Sequence, residues 1–84
     1  MFQQKEFLIA ISQLPNPQQL SILESKYTAL ILYNIAERCE KEGYINTEII
    51  SFYLDDNRQK FSINYNPTNT LPVLTDRGLQ LIQN

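Results

Sequence analysis

Side chains that commonly carry out catalysis or hold metal ions are scarce in this sequence. Its 84 residues include no histidine and one cysteine, Cys39. Zinc cages, the serine triad and the cysteine–histidine dyad all need side chains that this set lacks. The glycines are Gly43 and Gly78, a spacing that excludes the glycine-rich loops that cradle phosphates. We therefore expect a non-enzymatic protein with no metal and no other cofactor.

Asp55 and Asp56 are the adjacent carboxylates that could serve as a general acid and base. Asn57 follows them, and runs of Asp and Asn are typical of turns because their side chains bond to nearby backbone N–H groups. We interpret the pair as a solvated turn. Cys39 lies among apolar helix positions, and we interpret it as a small packed residue.

Cations and an aromatic residue cluster after this turn. Arg58 and Lys60 precede a segment that ends at Tyr65, and aromatic side chains beside polar residues are frequent anchors at protein interfaces. The next residues are rich in Asn. We predict a partner-binding surface formed by Arg58, Lys60, Tyr65, Asn66 and Asn69.

Composition indicates one globular domain, residues 1–84, with 43% apolar and 19% charged residues. The net charge is −2, and residues 43–84 carry three cations, Arg58, Lys60 and Arg77. Nucleic-acid binders usually concentrate more Lys and Arg on one face, so a protein partner is favoured over nucleic acid. One cysteine allows no internal disulfide, and the five-residue apolar run from Ala29 to Tyr33 is too short to span a membrane. We expect a cytoplasmic protein without a signal peptide or membrane segment.

The N-terminal half reads as helical. Apolar residues at spacings of three and four predict a helix over Phe2–Leu14, which Pro15-Asn16-Pro17 ends before Asn16 caps the next helix. The segment from Pro17 to Glu42 forms one helix, or two if Ser25 caps a second piece, and Gly43 ends it. It is apolar on two sides, and for that reason we expect a homodimer.

The C-terminal half mixes helix and strand. Asn46 or Thr47 is predicted to cap a helix that runs to Leu54. Alternation of apolar and polar residues then predicts strands over 61–65 and 71–75, paired as an antiparallel hairpin through an Asn-rich turn. A short helix is expected from Asp76. The fold class is α+β: a small, mainly helical domain with one antiparallel β-hairpin near the C-terminus.

Two stretches resemble a winged helix-turn-helix domain. Residues 41–50, KEGYINTEII, are similar to the junction of its first two helices, and residues 74–82, LTDRGLQLI, are similar to the step that follows its wing. The resemblance implies a winged-helix-like fold that binds DNA through Arg58, Lys60 and Arg77. The twenty residues from Asp55 to Leu74 hold a wing hairpin only if the recognition helix is reduced to a turn.

Three functions follow from these features. The leading one is a small regulatory binding protein that docks on a protein partner, as an adaptor or an inhibitor. The alternative is a DNA-binding transcriptional regulator with a reduced winged helix-turn-helix. The third is a structural subunit of a larger assembly.

Overall fold

The chain folds as an α+β domain, as the sequence predicts. The computed structural model describes residues 2–67 and 71–83. Four helices and one two-stranded antiparallel sheet are found in these residues, in the order α1 (Phe2–Ser12), α2 (Gln18–Lys26), α3 (Ala29–Lys41), β1 (Ile50–Leu54), β2 (Phe61–Tyr65) and α4 (Asp76–Gln83). No helix in these residues combines the length and the apolar character needed to cross a bilayer.

The long apolar segment of the N-terminal half forms two helices. Tyr27 is extended between α2 and α3, and Thr28 caps α3 by accepting a hydrogen bond from the Ile31 N–H at 3.3 Å. The open choice between one helix and two is thus decided, although Ser25 is not the cap, since its hydroxyl donates to Ser21 within α2. Asn16 does accept a bond from the Gln18 N–H, where α2 begins.

Gly43 ends α3 in a left-handed conformation, with φ of +77°. The N–H groups of Gly43 and Tyr44 donate to the carbonyl groups of Glu40 and Cys39, the hydrogen-bond pattern of a Schellman motif. The chain then becomes extended at Tyr44 and Ile45, and Ile45 forms an isolated antiparallel bridge with Leu74.

The predicted hairpin partner is wrong. Strand β2 covers the predicted residues 61–65, but it pairs with β1, from Ile50↔Tyr65 to Leu54↔Phe61, and not with residues 71–75. The helix predicted up to Leu54 is therefore also wrong. Residues 71–75 instead contact the Tyr44–Asn46 stretch through Leu74, Val73 and Thr75. Thr68 and Asn69 of the predicted turn lie outside the described residues.

A short run of apolar residues explains the error at β1. Residues 49–54 are apolar except for Ser51, and a run of this length fits a buried strand as well as a helix. In the structure Ile50 and Phe52 face the core whereas Tyr53 is 53% exposed. The side chains of β1 therefore alternate between the core and the solvent, as in a strand. This alternation depends on the pairing of β1 with β2, which the sequence of residues 49–54 does not indicate.

Three phenylalanine rings join the helices to the hairpin. Phe7 of α1 is fully buried, with its ring centroid 5.4 Å from that of Phe52 and 6.2 Å from that of Phe61. Phe52 and Phe61 stack across the two strands at 5.9 Å. Cys39 is also buried in this core, and its burial raises the pKa of the thiol to about 12. Its interpretation as a packed residue is confirmed.

Helix α4 approaches the backbone of Tyr44 closely at Gly78. A Cβ atom built on Gly78 would overlap the Tyr44 carbonyl oxygen and lie 3.1 Å from its carbonyl carbon. Thr75 holds the start of this helix, because its hydroxyl donates to the Gly43 carbonyl at 2.6 Å and accepts from the Gly78 N–H at 3.2 Å. Gly78, unfavourable by helix propensity alone, is thus required by packing.

An ion pair connects α1 to α2. The Lys26 ammonium lies 2.9 Å from Glu6 Oε2, and the Tyr27 hydroxyl donates to Glu6 Oε1 at 3.0 Å. The hydrogen bond from Lys26 holds the pKa of the Glu6 carboxyl below its ordinary value. In contrast, burial and the neighbouring Glu37 carboxylate raise the pKa of Glu40.

These opposite shifts predict opposite pH dependences. Because the pKa of Glu6 is lowered by folding, its contribution to stability is present above the ordinary value of 4.5 and is lost as the pH falls through the lowered pKa. Glu6→Gln should therefore be less stable than the wild type at pH 7, with a difference that shrinks below pH 4.5 and disappears below the lowered pKa of Glu6. Glu40→Gln should be more stable than the wild type at pH 7, again converging in acid. Urea unfolding of the three proteins from neutral to acidic pH checks this, and parallel pH profiles would contradict it.

Candidate functional site

The hairpin loop, residues 55–60, is held by one carboxylate. Asp55 Oδ1 accepts hydrogen bonds from the N–H groups of Gln59 at 2.6 Å and Lys60 at 2.8 Å. The Asp55 carbonyl accepts from the Arg58 N–H at 2.9 Å, and the Asp55 N–H donates to the Lys60 carbonyl at 3.1 Å. The turn interpretation of Asp55 and Asp56 is confirmed, because Asp55 uses its carboxylate to order the loop backbone.

Arg58 occupies an unusual position in this loop. Its φ of +58° lies in the left-handed region, which glycine and asparagine adopt more easily than arginine. Arg58 and Lys60 are both exposed, and no carboxylate of the described residues lies within ion-pair distance of either. The loop thus presents two cations that are free to meet an external partner.

Arg58→Gly is expected to raise the free energy of unfolding by about 0.5 kcal/mol, because glycine relieves the left-handed strain of about 1 kcal/mol but loses more backbone entropy on folding. Gln59→Gly is the matched control, since residue 59 is exposed but has no positive φ, and it should lose about 0.5–1 kcal/mol. Urea denaturation of both variants measures the difference. An equal decrease in the free energy of unfolding of the two variants would contradict the assignment of strain to Arg58.

A partly open pocket of about 180 Å³ lies beside the loop. It separates the α2–α3 junction from the start of β2. Its helical wall consists of Glu24, Tyr27, Ala29 and Leu32, and its hairpin wall consists of Gln59, Lys60 and Phe61. The hydrogen bond from Tyr27 to Glu6 fixes the tyrosine ring on the helical wall. The pocket is apolar at Tyr27, Leu32 and Phe61 and charged at its polar side, where Glu24 and Lys60 lie.

The structure divides the predicted partner-binding residues between the two ends of β2. Arg58 and Lys60 lie in the loop before the strand, whereas Tyr65 is its last residue and Asn66 follows it. Tyr65 is partly buried against the core, and the Asn66 N–H donates to the Ile49 carbonyl at 2.7 Å. Asn69 lies outside the described residues. Strand β2 is therefore the feature that connects the two pairs.

Arg77 is far from the other two cations proposed for DNA binding. It lies 3.6 Å from Glu42, just after α3, and 5.6 Å from the Tyr44 ring centroid. Lys60 contacts the pocket at the opposite end of α3, whose 13 residues span about 20 Å. Arg58 and Lys60 thus form one group, and Arg77 belongs to another surface.

The helical wall of the pocket was missed by sequence reasoning. Its residues come from α2, α3 and their junction, and they meet the hairpin only through tertiary packing. Tyr27 and Leu32 carry an apolar pattern that predicts burial without indicating a neighbour. No group of three or more potential metal ligands occurs within residues 2–67 and 71–83.

The chain matches no family model, no curated protein and no solved structure. The loop, the pocket and β2 are therefore the features of the structure that bear on function.

Proposed function

We propose that this chain is a non-enzymatic regulatory binding protein that docks on a protein partner, as an adaptor or an inhibitor. The observation that carries the proposal is the pocket of about 180 Å³ beside two cations that have no ion pair within the described residues. A pocket of this size accommodates a single apolar side chain, and interfaces commonly place such an anchor in a pocket with charged residues at the rim.

Exposed apolar residues of α2 and α3 support docking. Leu30 and Ile31 follow the pocket-lining residue Ala29 in the first turn of α3, and they are 38% and 41% exposed. Ile22 of α2 is 54% exposed. An interface that covered these side chains would gain roughly 25 cal/mol for each Å² of apolar surface removed from water.

Affinity capture from the native source tests the proposal. The immobilised full chain is compared with an Arg58→Ala, Lys60→Ala double variant and with an Arg38→Ala, Lys41→Ala variant, which removes two exposed cations of α3. We expect to capture a protein whose binding persists after nuclease treatment and is stoichiometric with the purified chain. Its affinity should fall at least tenfold for the Arg58→Ala, Lys60→Ala variant and remain unchanged for the Arg38→Ala, Lys41→Ala variant. Failure to find such a protein contradicts docking.

The same materials test the DNA-binding alternative. Each phosphate contact contributes about −0.9 to the slope of log affinity against log salt, so the paired cations of the loop support only weak, non-specific binding. Titration of duplexes at ~150 mM salt should show no sequence-selective binding. Nanomolar, selective binding that is lost in the Arg58→Ala, Lys60→Ala variant would place the DNA-binding regulator first.

Homodimer formation stays a prediction. It would bury the apolar residues that α2 and α3 expose, Ile22, Leu30 and Ile31, between two copies of the chain in place of a different partner. Sedimentation of the full chain at ~100 μM should show a dimer that Leu30→Glu dissociates, since a charge buried without a partner is strongly unfavourable. A wild-type monomer of 9.8 kDa would contradict this prediction without bearing on a different partner.

A further inference from the structure

One edge of β2 has unpaired hydrogen-bonding groups. The bonds from the Asn66 N–H to Ile49 and from the Asp55 N–H to Lys60 fix the hydrogen-bonded pairs at both ends of the hairpin. In an antiparallel ladder these pairs alternate with non-bonded pairs, and the register between them is unbroken. It follows that Ser62 and Asn64 bond to β1, whereas the backbone groups of Phe61, Ile63 and Tyr65 point away from it.

The outward groups of β2 meet no partner within residues 2–67 and 71–83. The corresponding edge of β1 is covered at its start, where the Ile50 N–H donates to the Asn46 carbonyl and Ile50 is 1% exposed. Further along β1, the outward groups of Phe52 and Leu54 also meet no partner within the described residues, and Phe52 is 7% exposed. Along β2, Ile63 and Tyr65 remain partly exposed. The strand from Phe61 to Tyr65 has no charge, proline or bulge, the devices by which proteins commonly block an open edge.

The pocket lies at the start of β2. Phe61, the first residue of β2, forms part of the pocket wall, and the α2–α3 junction faces it across the space. The outward N–H and C=O groups of a strand have the same spacing as the hydrogen-bonding groups of another extended chain. An extended peptide is therefore the ligand that can add to the edge of β2. At the Phe61 end, Tyr27, Ala29 and Leu32 lie across the pocket from β2, so a chain added there lies close to the α2–α3 junction. A single strand fits there more readily than a second copy of the whole domain.

We propose that β2 binds an extended segment of the partner protein, which adds a third strand to the sheet and places one apolar side chain in the pocket. This assignment rests on the proposed docking function. Lys60 on the pocket wall and Arg58 two residues before it lack an ion pair within the described residues. The bound segment therefore carries a carboxylate that faces Lys60 on the hairpin wall and lies away from Glu24 on the helical wall, and its backbone bonds to Ile63 and Tyr65.

Selection from a library of random linear peptides, about twelve residues long, provides a defined probe, because a strand that covers β2 needs at least five residues. The full chain is the target, and the selected peptides are synthesised. We expect an apolar residue beside an acidic one, and slowed amide exchange at Ile63 and Tyr65 on binding. Ser62 and Asn64 are internal controls, since their amides already face β1.

N-methylation along the peptide distinguishes strand addition from other binding modes. Methylation of every second amide should weaken binding about tenfold or more, and methylation of the intervening amides should have little effect, because only alternate N–H groups face β2. Weaker binding after methylation at every position, or at no position, would overturn the assignment of strand addition. Failure of the library to yield any binder that perturbs β2 would also overturn it.

Two variants of the chain test the pocket and the charge. Ala29→Phe fills the pocket and should weaken peptide binding at least tenfold, whereas Asn34→Phe, at an exposed position of α3, should not. Matching circular dichroism spectra establish that both variants fold. Lys60→Glu should reverse the preference for an acidic peptide, and Lys41→Glu should leave it unchanged.

If the captured natural partner binds the Ala29→Phe and Lys60→Glu variants as tightly as it binds the wild type, protein docking stands and the assignment of β2 as the binding strand fails. Dimerisation of the chain through β2, seen as exchange protection that grows with concentration, would overturn the partner segment in favour of a second copy.

Discussion

Phe7→Ala is expected to lower the free energy of unfolding by about 4 kcal/mol, which is close to the total stability of a domain this small. The Phe7 ring is fully buried, and it is the side chain through which α1 contacts the rings of Phe52 and Phe61. Removing it leaves a cavity at the boundary between the helices and the hairpin. Urea denaturation followed by circular dichroism measures the loss.

Two controls separate this cavity from a general loss of aromatic surface. Phe7→Leu retains most of the volume and should cost about 1–1.5 kcal/mol. Tyr53→Ala removes a ring that is 53% exposed on the outer face of the hairpin and should cost less than about 1 kcal/mol. A Phe7→Ala variant that loses no more than the Tyr53→Ala variant would contradict the central position of Phe7.

Gly78→Ala is expected to destabilise the protein by about 3 kcal/mol, opposite in sign to the gain of about 1 kcal/mol that helix propensity alone predicts. The added methyl group would overlap the Tyr44 carbonyl oxygen, which is backbone and cannot rotate away. Either α4 shifts from Tyr44 or the bonds of Thr75 to Gly43 and Gly78 are strained. Thermal and urea unfolding both report the effect.

Gly43→Ala is the matched control for Gly78→Ala. A Cβ on Gly43 would meet no atom within 4 Å, but its φ of +77° disfavours alanine, so a cost of about 1 kcal/mol is expected from the backbone alone. Gln80→Ala, at an exposed position of α4, should change stability by less than about 0.5 kcal/mol. If Gly78→Ala stabilises the chain, the close approach of α4 to Tyr44 is incorrect.

Local signals predicted the elements that depend on local interactions. The spacing of Phe7 and Ile11 predicted α1, Gly43 marked the end of α3 because its left-handed conformation suits glycine, and alternation predicted β2. The α+β class followed from these elements. Their boundaries moved by one or two residues. At the start of α2, Pro17 and not Asn16 occupies the N-cap position, although Asn16 accepts a hydrogen bond from the Gln18 N–H.

The choice of partner for β2 could not be predicted from these signals. Strand pairing depends on hydrogen bonds between distant residues, and both the 50–54 and the 71–75 segments contain apolar residues suited to a strand. Pairing with β1 places Phe52 and Phe61 together over Phe7. That packing is a tertiary gain which no window of the sequence displays.

The candidate site was only partly predictable for the same reason. Exposed cations in a polar turn identified Arg58 and Lys60, but the left-handed φ of Arg58 depends on the bonds that Asp55 makes to the loop. The pocket needs α2, α3 and β2 in contact, and the free edge of β2 is defined only by its pairing with β1. Sequence could indicate the residues at each end of β2 but not the surface that connects them.

Site-specific photo-crosslinking in the native source tests protein docking through β2 most directly. A photoreactive amino acid replaces Asn64, which is exposed on β2, or Gln80, which is exposed on α4 as the control. We expect a discrete protein adduct from position 64 that is absent from position 80 and that diminishes in the Ala29→Phe background. A nucleic-acid adduct at position 64, or equal protein adducts from both positions, would contradict it.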